Sequence, residues 1–121
     1  MLPKSDPNDY LPLSEAAFHF LLTLTDGEKH GYAIKKEVKR STNGKVELGP
    51  GTLYGLVKRM LLMRLIEESP GRPAAALDDE RRHYYRLTRL GERVVEAEVR
   101  RLENLLAAAR GRQRLARAGG H

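Results

Sequence analysis

The chain has 121 residues, of which 22 are Lys or Arg and 16 are Asp or Glu, so its formal net charge at pH 7 is +6. This length predicts one small domain with a low free energy of unfolding. Association with a second subunit would stabilise such a domain. The lack of cysteine excludes disulfides, Cys-ligated zinc and a thiol nucleophile.

Membrane insertion and secretion are not expected. The longest apolar stretch, residues 16–24, is far shorter than the roughly 20 residues that a membrane span requires. The N-terminus lacks the apolar centre of a secretory signal. We therefore expect residues 1–12 to form a short arm on a cytoplasmic protein.

Positive charge is concentrated in the middle of the sequence. Residues 29–64 contain nine basic and two acidic side chains, whereas residues 1–28 are acidic and residues 65–107 are nearly balanced. A compact basic segment is typical of a surface that binds phosphates, because each neutralised phosphate releases counterions. A solvated helix surface has the same composition, so charge alone leaves both interpretations open.

Two helices are predicted in the first part of the chain. Ser14 can cap the first, which ends before Asp26-Gly27. Its apolar face comprises Ala17, Phe18, Leu21, Leu22 and Leu24. The second helix is expected from about residue 31 to residue 42, where Asn43-Gly44 ends it, with Ile34 and Val38 on its buried face.

A third helix is predicted over residues 50–63, after a short strand at residues 46–48. Pro50 suits the first helical position, because its fixed φ fits a helix and its missing N–H is no loss there. The buried stripe follows helical spacing and comprises Leu53, Leu56, Val57, Met60 and Leu61. The other faces carry Thr52, Tyr54, Gly55, Lys58 and Arg59.

The rest of the chain predicts a hairpin and a long helix. Residues 65–69 and 83–87 have β-type composition and are joined by a segment with Pro and Gly. Thr88 can cap a final helix that would end at Arg110, with Gly111 as the stop. Its narrow heptad seam favours packing against a partner over simple core packing. The seam comprises Val95, Val99, Leu102, Leu106 and Ala109.

This order of elements is that of a winged helix. The expected fold is mainly α with a small β-hairpin. A winged helix-turn-helix spans residues 13–87, a C-terminal dimerisation helix spans residues 88–110, and residues 111–121 form a basic, disordered tail. In a winged helix the third helix docks in the DNA major groove, and the hairpin wing reaches the backbone or the minor groove.

Four segments of the chain resemble, in order, the signature blocks of the PadR family of bacterial transcriptional regulators. They are HGYAIKKEV (30–38), LGPGTLYGLVKRM (48–60), LIEES (65–69) and RRHYYRLTRLGERV (81–94). The resemblance runs from about residue 13 to residue 106, and PGTLY followed by YYRLT is its most specific part. It implies a homodimeric winged-helix repressor that binds near-palindromic promoter operators and responds to small molecules or cell stress. The chain has only one helix after the wing and in this respect resembles the short subgroup of the family.

The chain departs from the family pattern at two places. Family members have a short polar pair and a Gly after the third helix, where this chain has Leu62, Met63 and Arg64. Without that Gly the usual left-handed cap is lost, so the helix is expected to run on or to end differently. Gly49 replaces a common Ser, which costs one capping hydroxyl.

The candidate contacts to double-stranded DNA lie on the second and third helices and on the wing. The lysines of the second helix would clamp phosphates, Lys58 and Arg59 would contact the DNA backbone, and Arg72 would enter the minor groove. Tyr54 would contact a phosphate or a base edge, or else plug the gap between two helices. Tyr32 is expected in the core. The full set is Lys35, Lys36, Lys39, Thr52, Tyr54, Gly55, Lys58, Arg59, Arg72 and Arg82.

The dimer and a bound effector involve a second set of residues. Val95, Val99, Leu102 and Leu106 are the candidate dimerisation residues. An apolar cavity at the dimer centre would hold a small hydrophobic or aromatic effector. Its candidate walls are Phe18, Leu22, Leu62, Met63 and Val99. A filled interface without a cavity is the alternative.

Enzymatic function has no support in the sequence, and no cofactor or metal is expected. The four histidines lack metal-ligand spacing, and there is no GxSxG or P-loop motif. The competing hypothesis is an interaction module, since winged helices also bind proteins or RNA. A basic face does not distinguish duplex DNA from structured RNA.

Overall fold

The computed structural model describes residues 5–69 and 83–119. In chain order the elements are a 3-10 turn (Pro7–Tyr10), α1 (Glu15–Leu22), β1 (Lys29–His30), α2 (Gly31–Ser41), α3 (Pro50–Leu62), β2 (Ile66–Glu68), β3 (Tyr84–Leu87) and α4 (Arg89–Ala118). The predicted order of three helices, a hairpin and a long helix is confirmed. The predicted strand at residues 46–48 is wrong, because this segment is an irregular connection into α3.

The sheet has three antiparallel strands in the order β1-β3-β2. Strand β3 pairs with β2 through Ile66 and Leu87, and with β1 through His30 and Tyr84. Strand β1 was not predicted, since two residues are too few to display an alternating pattern. Its pairing fixes the start of α2 against the base of the wing.

Side-chain caps set the first residues of three helices. The Ser14 and Thr88 hydroxyls accept hydrogen bonds from the Ala17 and Gly91 N–H groups, as the sequence predicts. His30 caps α2 in the same way, because its Nδ1 accepts the Ala33 N–H at 3.1 Å. The Nδ1 atom of His30 is therefore unprotonated in this arrangement.

Helix α3 ends in a left-handed cap although the chain has no glycine there. The Leu65 N–H donates to the Met60 carbonyl and the Arg64 N–H donates to the Leu61 carbonyl, at 2.9 and 3.1 Å. These two bonds define a Schellman motif, whose C′ residue takes a positive φ. Arg64 fills that position with φ 60°. Both expectations for this departure are therefore wrong: α3 does not run on but ends at Leu62, and it keeps the left-handed cap, which Arg64 forms in place of a glycine.

The core lies between α1, α2, α3 and the first turns of α4. Ala17, Leu21 and Leu24 are buried as predicted, while Phe18 and Leu22 are only partly buried. The largest correction is Phe20, which was not assigned to the buried face and is fully buried. The buried stripe of α3 is confirmed, apart from Leu61, which is partly buried.

Helix α4 is longer than predicted. It continues through Gly111 to Ala118, so the predicted stop at Gly111 is wrong, and so is the predicted disorder of residues 111–118. A glycine ends a helix when it takes a left-handed conformation; inside a helix it costs only about 1 kcal/mol relative to alanine. The surrounding Ala, Arg, Gln and Leu residues are good helix formers and carry α4 past it.

The N-terminal arm is attached to α4 through a buried carboxylate. Glu98 is 1% exposed and accepts the Leu13 N–H at 2.9 Å. Arg101, one turn later, donates to both of its carboxylate oxygens. These bonds, that from Arg101 above all, hold the pKa of Glu98 below its usual range, although burial raises it. The arm is therefore part of the domain and not a free extension from residue 5 onward.

Candidate nucleic-acid interface

The outer face of α3 is fully available to a ligand. Thr52, Tyr54, Lys58 and Arg59 are all exposed, whereas the opposite stripe of the helix is buried in the core. Helical spacing places Gly51, Gly55 and Lys58 on one line along the middle of the outer face. Tyr54 therefore does not plug a gap between helices, since 55% of it is exposed.

Two glycines leave a strip of bare backbone in the middle of this face. Within the described part of the chain, a Cβ atom added at Gly51 or Gly55 would meet no atom within 4 Å. The glycines are thus not required for close packing against α2. The absence of side chains instead lets a ligand approach the α3 backbone closely, with Lys58 and Arg59 beside it.

A basic groove lies along α2. Its lining comprises Tyr32, Lys35, Lys36, Lys39, Arg40, Asn43, Gly44 and Glu47, and its volume is about 690 Å³. Arg40 is a lining residue that sequence reasoning left out of the candidate set. The signal for it was present, since it lies within the same basic run as Lys39.

Few carboxylates neutralise these cations. Lys39 pairs with Glu47 at 3.1 Å, and Arg40 pairs with Glu37. Both carboxylates belong to the basic segment itself, residues 29–64. Within the described part of the chain, Lys58 and Arg59 have no ion-pair partner. The groove and the outer face of α3 together therefore present an excess of positive charge that is suited to polyanions.

Tyr32 lies on this surface, so its predicted place in the core is wrong. It is 54% exposed, and its ring is stacked with that of His30. The ammonium group of Lys36 lies 5.4 Å from the centre of the same ring. His30 also meets the edge of Tyr84, so the wing strand and the α2 surface are joined by aromatic contacts.

The base of the wing is held by charge pairs between its strands. Arg86 donates to Glu67 at 2.8 Å, and His83 lies beside Glu68. Of the wing candidates, Arg72 and Arg82 lie outside the described residues. The other eight of the ten candidate DNA contacts fall on α2 and α3.

The family of the chain follows from a comparison with protein families. The model of the PadR-like family of transcriptional regulators matches residues 20–97, which is more than half of the chain. The chain belongs to this family. Members of the PadR-like family are transcriptional regulators and not enzymes.

Solved structures share the fold of this PadR-like protein. A transcriptional regulator from Clostridium thermocellum is 22% identical, with 84% of this chain and 91% of that chain covered and a TM-score of 0.64. RosR of H. salinarum is 26% identical, with 91% and 93% covered and a TM-score of 0.60. A PadR-like transcription factor from Bacteroides fragilis is 20% identical, with 79% and 87% covered and a TM-score of 0.65.

One curated relative also matches. It is an uncharacterized protein X of Lysinibacillus sphaericus, 31% identical over 72 residues, which cover 60% of this chain. The match spans 63% of the length of that relative.

The last helix of this PadR-like protein exposes several large apolar side chains. Val99 and Leu102 are each 39% exposed, and Leu105, Leu106 and Leu115 are exposed further. The predicted seam needs one correction, because Val95 is 6% exposed and belongs to the core of its own subunit. The seam available to a partner therefore begins at Val99.

The candidate effector residues occupy two different environments. Phe18, Leu22 and Met63 are partly buried against the core. Leu62 is 71% exposed and continues the line of Gly55 and Lys58 on the outer face of α3. Among the described residues, grooves along α2, beside the N-terminal arm and beside the wing are lined by other residues.

Two other classes of site are absent from the described ranges, 5–69 and 83–119. No group of His, Asp or Glu side chains there is arranged to hold a metal ion. None of the helices in these ranges has the length and apolar composition needed to cross a membrane.

Proposed function

We propose that this PadR-like protein regulates transcription as a homodimer that binds double-stranded DNA through α3 and α2. The observation that carries the proposal is the bare backbone at Gly51 and Gly55, beside Lys58 and Arg59, which have no ion-pair partner among the described residues. Helix α3 would enter the major groove, and the lysines of α2 would bind the phosphates alongside it.

Duplex DNA fits this surface better than duplex RNA does. The major groove of B-form DNA is about 12 Å wide and admits an α-helix, whereas that of A-form RNA is too narrow and deep. Helix α3 has a continuous exposed face from Gly51 to Leu62 that can lie in a groove of this width. An interaction with structured RNA is the alternative that the experiment below tests.

The exposed leucines of α4 support a two-fold dimer. A two-fold contact buries the same apolar stripe twice, which a small domain can use to gain stability. Two copies of α3 would then face half-sites about one helical turn, roughly 34 Å, apart on the DNA. A near-palindromic operator and repression of the promoter follow from this arrangement as part of the proposal.

Release by an effector completes the proposal. A planar hydrophobic compound bound between the subunits would lower operator affinity only by its differential affinity for the two arrangements of the α3 helices. Phe18 supplies a partly buried aromatic ring for such a ligand. Thermal-shift screening with and without operator DNA tests this step, and a complete lack of shift and of DNA release would remove it from the proposal.

Binding to the promoter of its own gene, measured by fluorescence anisotropy and footprinting, tests DNA recognition. We expect a protected near-palindromic site and binding to duplex DNA that is stronger than binding to duplex RNA of the same sequence. Equal binding to both duplexes, or preference for RNA, would contradict the proposed mode of recognition.

A further inference from the structure

Gly55 lies in the middle of α3, where the fold itself gives no reason for a glycine. It is an interior residue of the helix, and a glycine there is less favourable than an alanine, because it loses more conformational freedom on folding. Its backbone is helical, so no positive φ requires it. Among residues 5–69 and 83–119, a Cβ at this position would meet no atom within 4 Å. Whatever needs the missing side chain therefore lies outside the described part of the subunit.

The surroundings of Gly55 are those of a contact with a polyanion. It is exposed on the outer face of α3, and Tyr54, Lys58 and Arg59 are exposed beside it. Neither cation has an ion-pair partner within the part of the chain that the structure describes. A ligand held by these two cations would lie across the bare Cα of Gly55.

The surface that Gly55 offers to such a ligand is apolar. Inside an α-helix each N–H donates to the carbonyl four residues earlier, and each carbonyl accepts from the N–H four residues later. Both polar groups of Gly55 are therefore used within α3, and the Cα with its two hydrogen atoms is what remains. A hydrogen-bonding group pressed against this Cα would lose its water and gain no partner, which is unfavourable.

The major groove of DNA displays one apolar group that suits this surface. Guanine, cytosine and adenine present hydrogen-bond donors or acceptors there, whereas thymine also presents its C5 methyl group. A methyl group can lie against the Cα of Gly55 without leaving a polar group unpaired. A side chain at residue 55 would occupy the same space as this methyl group.

We propose that Gly55 is a specificity-determining residue, which contacts the C5 methyl group of one thymine in each operator half-site. The inference rests on the proposed function, in which a homodimer binds duplex DNA through α3, and adds the base that this face selects. Lys58 and Arg59 would bind phosphates, which carry no sequence information of their own. Gly55 would discriminate by shape, since removal of the methyl group leaves a gap and forfeits its contacts.

An alanine at residue 55 separates this role from a structural one. We expect G55A to raise the melting temperature by about 2–5 °C, because its Cβ enters open space and alanine is the better helix former. The same variant should bind operator DNA about tenfold more weakly, because its methyl group overlaps that of the thymine.

G111A is the matched control for this variant. Gly111 is also inside a helix, and a Cβ there would meet only the end of Arg114, at 3.9 Å. G111A should raise the melting temperature in the same way and leave the affinity for operator DNA within about twofold. A lower melting temperature for G55A would assign Gly55 to the fold and overturn the inference.

Replacement of thymine by uracil tests the contact itself, because uracil lacks only the C5 methyl group. The probes are the footprinted operator duplex and duplexes in which one symmetric pair of thymines at a time is replaced by deoxyuridine. For one such pair, we expect anisotropy to show wild-type binding weakened by about three- to fourfold for each half-site, the effect of one methyl group. G55A should instead bind that uracil duplex more tightly than the thymine duplex, because its own methyl group fills the gap.

K58A/R59A shows whether the two cations take part in this selection. It should bind both duplexes more weakly and keep the wild-type ratio of their affinities, because phosphate contacts act on all sequences alike. Loss of the ratio in K58A/R59A would assign the selection to these cations and overturn the role of Gly55.

The remaining outcomes separate this inference from the proposed function. Equal wild-type affinity for the thymine duplex and for every uracil duplex would overturn the thymine contact and leave DNA binding through α3 in place. A G55A variant that prefers thymine as the wild type does would also overturn it. A wild-type protein that protects no site on duplex DNA would contradict the proposed function and this inference together.

Discussion

Arg64 is the residue at which local sequence and local structure disagree most. A left-handed conformation costs a residue with a Cβ roughly 1–2 kcal/mol, yet the Schellman bonds at the end of α3 require it. The buried Leu65 and Met60 and the Thr88 hydroxyl, which donates to the Arg64 carbonyl at 2.6 Å, hold the turn in place. Tertiary contacts therefore determine this cap.

A glycine at this position should stabilise the protein. We expect R64G to raise the free energy of unfolding by about 0.5–1 kcal/mol, because φ 60° carries no penalty in glycine. Asn43 provides the matched control, since it has φ 54° at the end of α2 but Asn tolerates this region better. Urea unfolding should show a smaller gain for N43G than for R64G. Equal gains, or a loss for R64G, would contradict the account of this cap.

Glu98 should make the stability of the protein depend on pH in the acid range. Its folded pKa is lowered, chiefly by Arg101, so the ionised form stabilises the fold at pH values above its unfolded value of about 4.5. This contribution is lost as the pH falls from there through the folded pKa. Protonation would weaken the attachment of the N-terminal arm.

E98Q tests this contribution. We expect a loss of about 1–3 kcal/mol at pH 7, because the amide keeps an acceptor for Leu13 but not the charge for Arg101. As the pH falls below 4.5, the melting temperature of E98Q should decrease less than that of the wild type. D26N is the control, because the pKa of Asp26 is also lowered, by Lys29. Since Asp26 is exposed, D26N should lose less free energy of unfolding at pH 7 than E98Q loses. Parallel pH profiles for E98Q and the wild type would contradict the assignment.

At the scale of elements, two glycines of α4 have opposite roles. A Cβ at Gly91 would lie 2.0 Å from the Leu65 carbonyl oxygen, so the first turn of α4 packs directly on the chain before β2. A Cβ at Gly111 would meet only the flexible end of Arg114, at 3.9 Å.

The same substitution should therefore have opposite effects at the two sites. We expect G91A to destabilise the protein by about 1–3 kcal/mol, because the packed backbone must shift. G111A should instead raise helicity and stabilise α4 by about 0.5–1 kcal/mol. Circular dichroism and chemical unfolding check both values, and a destabilising G111A would mean that α4 does not continue through this residue.

The sequence predicts the helices in which apolar residues recur at helical spacing over several turns, or which begin at a definite capping residue. Helix α3 was predictable from Pro50 and its apolar stripe, and α4 from Thr88 and its heptads. Strand β1 was not, because its two residues form a strand only when β3 lies beside them. The burial of Phe20 was predictable, because Ala17, Phe20, Leu21 and Leu24 follow the i, i+3, i+4, i+7 spacing of one helix face, which Phe18 does not share.

The candidate site was predictable in charge more than in shape. The basic segment identified the lysines of α2 and α3 because composition alone reveals them. The exposure of Tyr32 was not predictable, since an aromatic residue next to a helix cap has the same pattern whether it is buried or stacked on a neighbour. The open space around Gly51 and Gly55 depends on tertiary structure, which brings no other element of residues 5–69 and 83–119 within reach of them.

At the scale of the whole molecule, the fold exposes a basic surface on α2 and α3 and an apolar seam on α4. The winged-helix core fixes α3 with its outer face free, and α4 leaves the core after its first turns, so that its apolar seam is exposed. In the proposed homodimer, the separation of these two surfaces would let the subunits associate without covering the basic face.

The dependence of DNA affinity on salt tests the central claim most directly, that Lys58 and Arg59 bind phosphates beside the open face of α3. For operator DNA, log K should fall linearly with log salt concentration. In K58A/R59A we expect weaker binding to all sequences and a slope shallower by about 0.9 for each phosphate that is no longer neutralised, hence by up to about four in a dimer. The control R93A/R100A, which removes two exposed arginines of α4, should keep the wild-type slope. An unchanged slope in K58A/R59A, or an equal change in the control, would contradict the account.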